Sequence, residues 1–203
     1  MAIKLWNSPL SPSCRRVRLL AHELELPLEL VSMDFRRGDY DAPEFLQRNP
    51  NGQVPVLEDD GFVLWESLAI LRWLAQKRPE RGLIPTDARE RARLDQWLFW
   101  WTAHPEPAIR LLLRERMLKP FLGQGGPERA VIEVAEDALA QHLEVLDAHL
   151  GGRGFVLERF SLAEVAFVPE LEMGLELGVD LRRFPRLRGW LERQRARPGW
   201  ATA

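Results

Sequence analysis

Three short segments hold the residues that could do chemistry: SPLSPSCRR at residues 8–16, QVPVL at 53–57 and WESLAI at 65–70. The first lies where an apolar run ends and a helical pattern begins. At such a junction the free N–H groups and the dipole of a helix N-terminus stabilise an anion, and Ser11, Ser13 and Cys14 are the groups able to hold a nucleophile there. A serine in this place serves equally as a plain helix cap, and Cys14 as a small buried apolar residue. In the second segment Pro55 removes a ladder donor and makes Val54 extended. With a cis Val54–Pro55 bond, the backbone N–H and C=O of Val54 would point away from the sheet and could pair with an extended, peptide-like ligand; a trans bond in an ordinary edge strand is the other reading. In the third, Ser67 at a helix start offers a hydroxyl and N–H groups to a carboxylate, while Glu66 can neutralise an ammonium. Those are the two ends of an α-amino-acid head group, although a plain cap preceded by a solvated acid needs the same residues.

The elements that must position these segments follow from spacing. Residues 2–6 read as a buried strand. Residues 14–25 read as a helix with Val17, Leu20, Ala21 and Leu24 on one face and Arg15, Arg16, Arg18, His22 and Glu23 on the other, closed by Pro27. A second strand at 28–33 leaves no room for a hairpin, so strand, helix and strand form a βαβ unit with a right-handed crossover. Asp41 is placed to cap a short helix over 42–48. The NPNGQVPVL stretch then turns into a strand at 56–58, Asp59, Asp60 and Gly61 turn into a strand at 62–65, and Ser67 opens a helix to about Lys77. The Pro, Gly and charge of residues 78–88 mark a linker. Everything periodic beyond it is helical. Thr86 or Asp87 caps a long helix running past Leu112, with Leu94, Trp97, Leu98, Trp101 and Ala108 as its buried stripe and a bend at Pro105 and Pro107. A second helix spans 128–150. A third opens at Ser161, where SLAE makes a capping box with Glu164, and a fourth follows Pro185 to about Arg197. The expected fold class is α/β plus all-α: a βαβαββα domain over 1–77, the linker, and an all-helical domain over 89–203.

Composition narrows the function classes. A chain of 203 residues with 46% hydrophobic residues can build its own core. With 28 basic against 30 acidic residues it has no electrostatic case for nucleic acid. A single cysteine allows neither an internal disulfide nor a zinc site of the usual spacing, so no metal is expected and the compartment reads as reducing. No apolar run reaches signal-peptide length or the roughly 20 residues that cross a bilayer, which indicates a soluble cytoplasmic protein without a membrane partner. Trp97, Trp100 and Trp101 crowd one turn, as indoles do in cores and in pockets. Arg89, Arg91 and Arg93 could face an interface or stand in solvent.

Taken together, Ser11 after the first strand, the VP pair before the third, the ES pair at the last helix of a βαβαββα domain, and an all-helical remainder resemble the cytosolic glutathione S-transferases over essentially the whole chain. The resemblance implies a thioredoxin-like N-terminal domain that binds glutathione and a helical domain that supplies the pocket for a small hydrophobic electrophile. Ser11 lies four residues before Arg15, as in the S-x-P-C-R pattern of the theta-, zeta- and delta-like classes, and so matches their thiol-activating serine; Ser13 then stands where that pattern has proline, with Cys14 as a neighbour. Gln53 and Val54 match residues holding the glutathione backbone, Pro55 the cis-proline, and Glu66 with Ser67 the γ-glutamyl site. Arg37 or Tyr40 is placed to reach the glycine carboxylate. Pro12, Trp100, Trp101, His104 and Met117 are the candidates for the electrophile pocket. Glu164 stands where family members usually have aspartate. The family also implies a homodimer.

The chemistry such a site must supply is modest. A free thiol with a pKa of about 8.5 is only a few per cent thiolate near neutrality, and lowering it by about two units, worth roughly 2.7 kcal/mol, makes thiolate the major form. A serine hydroxyl donating to sulfur, with the field of a helix N-terminus, can provide that. Other glutathione chemistries on the same fold remain open at this point: an isomerase, although SPLSPSCRRV lacks the full SSCSxxRV form of the zeta class; a reductase acting through Cys14; a peroxidase; or a noncatalytic interaction module.

Overall fold

β1 (Ile3–Asn7) buries every second residue, and Leu5 in its middle is wholly inaccessible, as a strand with neighbours on both sides requires. The computed structural model describes residues 3–200, so Ala2, expected as the first strand residue, lies outside the described residues. These fall into two units, one reaching Ile84 and taking in Gly199 and Trp200, the other Pro85–Pro198.

In the first unit β1 is followed by α1 (Pro12–Glu23), β2 (Leu28–Ser32), a 3-10 turn (Phe35–Arg37), α2 (Pro43–Leu46), β3 (Val56–Asp59), β4 (Phe62–Trp65) and α3 (Ser67–Gln76). The sheet order is β2-β1-β3-β4, with β1 and β2 parallel and the other two pairs antiparallel. α1 packs on α3, the two burying Val17, Leu20, Leu24, Ile70, Leu71 and Leu74. A second cluster of Met33, Phe45 and Val56 is joined by Trp6, Tyr40 and Val54. Two expectations are corrected here. Asp41 caps nothing: Ala42 is the cap residue of α2, without a side-chain bond, because Pro43 is conformationally suited to the first helical position and sets the start one residue later. Arg16, assigned above to a polar face, is wholly buried.

The second unit is helical: α4 (Ala88–Ala103), α5 (Pro105–Leu113), a π-helical turn (Arg114–Leu118), α6 (Lys119–Phe121), α7 (Arg129–His149), α8 (Leu162–Glu176) and α9 (Pro185–Arg195). Asp87 caps α4 by accepting from the Arg89 and Glu90 N–H groups. The helix stops at His104, whose φ of −125° and ψ of −73° are not helical, and Pro105 begins the next segment. α8 is buried on nearly all sides and packs against α4, α5 and α9, which marks it as the centre of this unit. Among the described residues no helix is long and apolar enough to cross a membrane, and no group of three or more His, Cys, Asp or Glu side chains could hold a metal ion.

The start of α8 is fixed by the box expected from SLAE. The Glu164 carboxylate accepts from Val156 N–H at 2.7 Å, Ser161 N–H at 2.9 Å and the Ser161 hydroxyl at 3.0 Å, and is itself wholly buried. Burial pushes its carboxyl up, while those donors work in the opposite direction. Glutamate thus reaches past its own cap to the loop residue Val156. Glu164→Ala strands two buried N–H groups and is expected to lower unfolding free energy by about 3 kcal/mol in urea denaturation.

Candidate active site

Ser11 is the cap residue of α1, in extended conformation, and its Oγ accepts from the Cys14 N–H at 3.2 Å. Pro12 occupies the first helical position, where a missing N–H costs nothing. A hydroxyl has one proton and two acceptor pairs, so capping leaves the Ser11 proton able to donate. The side chain is half-buried, within reach of a ligand. Ser13, in the first turn of the helix, is also half-buried.

Cys14 is different. It has no accessible surface, and its sulfur accepts from the Ser8 N–H at 3.5 Å. Burial pushes its thiol above the ordinary cysteine range, against the hydrogen bonds from Ser8 and Ser11 and the charge of Arg18. This sulfur is neither exposed nor activated, as a mixed-disulfide reductase would need.

The QVPVL segment is held by Asn49, a buried residue whose Nδ2 donates to the Gln53 carbonyl at 2.7 Å and whose Oδ1 accepts from the Asn51 N–H at 3.1 Å. Gly52 has φ +59°, and a Cβ there would lie 3.2 Å from the Tyr40 carbonyl, so both conformation and space call for glycine. The Val54–Pro55 bond is cis. Val54 stands outside the ladder, which starts at Val56. Tyr40 packs against the same cluster as Val54, and its hydroxyl, hydrogen-bonded with Ser8, is pushed up by burial. Arg37 is exposed and paired with Asp39 at 2.8 Å, a bond that raises its pKa.

At the other helix start, Glu66 is the cap residue of α3 and Ser67 its first residue. Glu66 has φ +71° and ψ +111°, a backbone region that a residue with a Cβ rarely takes, yet its carboxylate is exposed and without an ion pair among the described residues. The buried Ser67 Oγ accepts from Arg16 Nη1 at 3.1 Å. Sequence reasoning missed Arg16 and Asn49, because their partners are set by the fold or by local side-chain geometry rather than by periodicity. It also passed over Leu10, 75% exposed beside Ser11, and Phe35, 56% exposed and 5.9 Å from the Tyr40 ring.

Of the helical-unit candidates, Trp101 is corrected to core: it is wholly buried and stacks on Phe167 with centroids 4.3 Å apart and planes at 15°. Trp100 is half-buried, edge-on to Trp97 and Trp101. His104 is exposed at the break after α4, its ring 5.1 Å from that of His142, and Met117 is exposed on the π-helical turn. Trp97, expected in the buried stripe, is only half-buried and lies against His149 at 4.3 Å.

Two families match the sequence: "Glutathione S-transferase, N-terminal domain" over residues 1–76 and "Glutathione S-transferase, C-terminal domain" over residues 103–198. The chain is 36% identical over 205 residues to glutathione S-transferase 3 of Zea mays, covering 98% of this chain and 91% of that protein. Glutathione transferase F7 of Populus trichocarpa superposes with a TM-score of 0.91 at 28% identity, covering 98% and 96% of the two chains. A glutathione S-transferase-I bound with lactoylglutathione superposes at 0.89 with 26% identity over 99% and 97%.

The burial of Cys14 has a direct readout. Iodoacetamide at neutral pH is expected to leave the folded chain unlabelled and to modify Cys14 fully in 8 M urea, scored by intact mass (urea concentration of about this size suffices for a domain of ordinary stability).

Proposed function

The chain belongs to the cytosolic glutathione S-transferase family of enzymes, and from that premise we propose that it binds glutathione on its first unit and uses Ser11 to hold the thiol as thiolate for attack on small hydrophobic electrophiles. The observation that carries this serine-type reading is the Ser11 hydroxyl: its acceptor side is engaged by the Cys14 N–H, it stands at the N-terminus of a 12-residue helix, and its proton can be donated to sulfur. The γ-glutamyl head group is assigned to Glu66 for its ammonium and to Ser67 with the N-terminus of α3 for its carboxylate. The peptide section is assigned to Gln53 and Val54 ahead of Pro55, and the glycine carboxylate to Tyr40 or Arg37. Each already has a partner, Asp39 for Arg37 and Ser8 for Tyr40, so the contact would be shared with it.

Ser11 stays protonated throughout. The thiol proton leaves to solvent, the hydroxyl and the helix field stabilise the sulfur charge, and sulfur forms its bond to the electrophilic carbon as the leaving group departs with its electron pair or as the electron pair moves into an activated double bond. In the first unit, electrophile choice is assigned to the apolar side chains of Leu10, Pro12 and Phe35; in the helical unit, Trp100, His104 and Met117 are the candidates for it. A homodimer accompanies this reading, and the exposed Phe62 and Trp65 of β4 supply apolar surface that a second copy would cover.

Ser11→Ala is expected to raise the thiol pKa of bound glutathione by about one to two pH units, read from the ultraviolet thiolate band. Its kcat/KM deficit, about 10- to 100-fold at pH 6.5, should shrink as pH approaches 9 and solvent alone ionises the thiol. An unchanged pKa would remove Ser11 from the mechanism. Glu66→Gly separates binding from folding. Relief of a positive φ worth about 1–3 kcal/mol outweighs the flexibility of glycine, so stability in urea is held or raised, while glutathione affinity measured by calorimetry falls about tenfold or more.

A further inference from the structure

Arg16 is the one charged side chain among the buried residues of α1. Its neighbours at the contact of α1 with α3 are apolar, with Val17, Leu20, Ile70, Leu71 and Leu74 all wholly inaccessible. Taking a guanidinium out of water costs several kcal/mol, and an apolar side chain of similar volume in such a place is often neutral or stabilising. Packing alone therefore does not call for arginine at position 16.

Its hydrogen bond gives a reason. Arg16 Nη1 donates to Ser67 Oγ at 3.1 Å, and both residues are buried. Ser67 is the first residue of α3, a helix of ten residues whose N-terminal field favours an anion. A hydroxyl that accepts from a guanidinium turns its own proton away from that donor, and the charge polarises its O–H, so it donates more strongly to the next acceptor. Glu66, the residue before it, has φ +71° and an exposed carboxylate. A polarised donor and a carboxylate thus stand one residue apart, which is the polarity that a zwitterionic α-amino-acid head group requires.

We propose that Arg16 is a positioning residue for the α-carboxylate of the γ-glutamyl group, acting through Ser67: the guanidinium donates to Ser67 Oγ, and the Ser67 hydroxyl donates to the carboxylate. The inference rests on the glutathione reading above and adds to it a residue that does not itself touch the ligand. Arg16 sets the direction in which the head group lies, carboxylate towards Ser67 and ammonium towards Glu66.

Calorimetry with glutathione and with 4-aminobutanoyl-Cys-Gly, the same tripeptide without the α-carboxylate, separates this role from a structural one. Wild type is expected to bind glutathione about tenfold or more tightly than the analogue. Arg16→Met should weaken glutathione about tenfold or more and leave the analogue within about twofold of wild type, whereas a general loosening of α1 would weaken both alike. Arg16→Lys, which keeps a buried cation and disturbs the fold less, should lose glutathione severalfold and again spare the analogue. In a Ser67→Ala background, Arg16→Met should cost glutathione no more than about threefold, because the residue through which Arg16 acts is already gone. The inference is overturned if a folded Arg16 variant binds glutathione as wild type does, if it loses the analogue as much as glutathione, or if the two single losses multiply in the double variant. Wild type that bound no glutathione would overturn the glutathione reading, and this inference with it; glutathione binding indifferent to Arg16 would sink the inference alone.

Discussion

Two serine hydroxyls that each already accept an N–H are the constraint on which the first unit is built. Ser11 Oγ takes the Cys14 N–H at 3.2 Å and Ser67 Oγ takes Arg16 Nη1 at 3.1 Å. With the acceptor side of each oxygen engaged by the protein, each keeps a hydroxyl proton, that of Ser11 within reach of the Cys14 sulfur, and both oxygens lie in the positive field of a helix start. Arg16 belongs to α1 and Ser67 to α3, so one buried guanidinium ties the two helix starts together. A charge taken fully out of water costs several kcal/mol unless hydrogen bonds compensate, which is why its partner must be held in register. The rest of the unit secures α1. Arg18 donates to Asn7 at the end of β1, Arg15 donates to the Trp200 carbonyl at 3.1 Å, and the buried Trp200 indole donates to Glu23 at 2.6 Å. Gly199 is needed for that approach, since a Cβ there would lie 1.8 Å from His22 Nε2.

The same requirement accounts for the backbone at Glu66. Local preference would place glycine at φ +71°, as it does at Gly52 with φ +59°. Gly52 needs no side chain, because Asn49 does the fastening for its loop. Glu66 keeps a side chain at such a φ, with its carboxylate exposed beside the buried Ser67, as the ammonium contact proposed above would require.

What could be read from the sequence was whatever depended on neighbours a few residues away. The stripe of Ala135, Leu139, Leu143 and Leu146 on α7 is buried as its spacing implies, and the Ser161–Glu164 box closes because both partners sit within one turn. The order of strands and helices in the first unit follows from the same local patterns. Arg16 could not be read this way, because its partner is 51 residues distant and a guanidinium on a helix otherwise signals solvent. The three tryptophans were legible only in part for a related reason: Trp101 is buried as its place in the stripe implies, whereas Trp97 is not. Trp97, Trp100 and Trp101 are equally apolar and lie within little more than one turn, so periodicity cannot rank them; Phe167 of α8 makes one of them core, and His149 of α7 lies against another that stays half-buried. Asp41 was outvoted by Pro43, a covalent restriction that overrides a capping preference of about 1 kcal/mol.

Cys14 shows how the site keeps its chemistry with the ligand. Its thiol lies within reach of the Ser11 hydroxyl and near the same helix N-terminus, the two features assigned above to lowering the pKa of an incoming thiol. The Ser11 hydrogen bond acts on Cys14 in that direction, together with the Ser8 N–H and the charge of Arg18, and burial still outweighs them, so its pKa moves up. On the reading proposed above, a bound sulfur at Ser11 would share that hydroxyl with Cys14, so this donor alone would not distinguish the two. Desolvation would: Cys14 has lost all its water, whereas Ser11 is only half-buried. A partly open serine and a cysteine closed off from solvent thus stand three residues apart on one helix start.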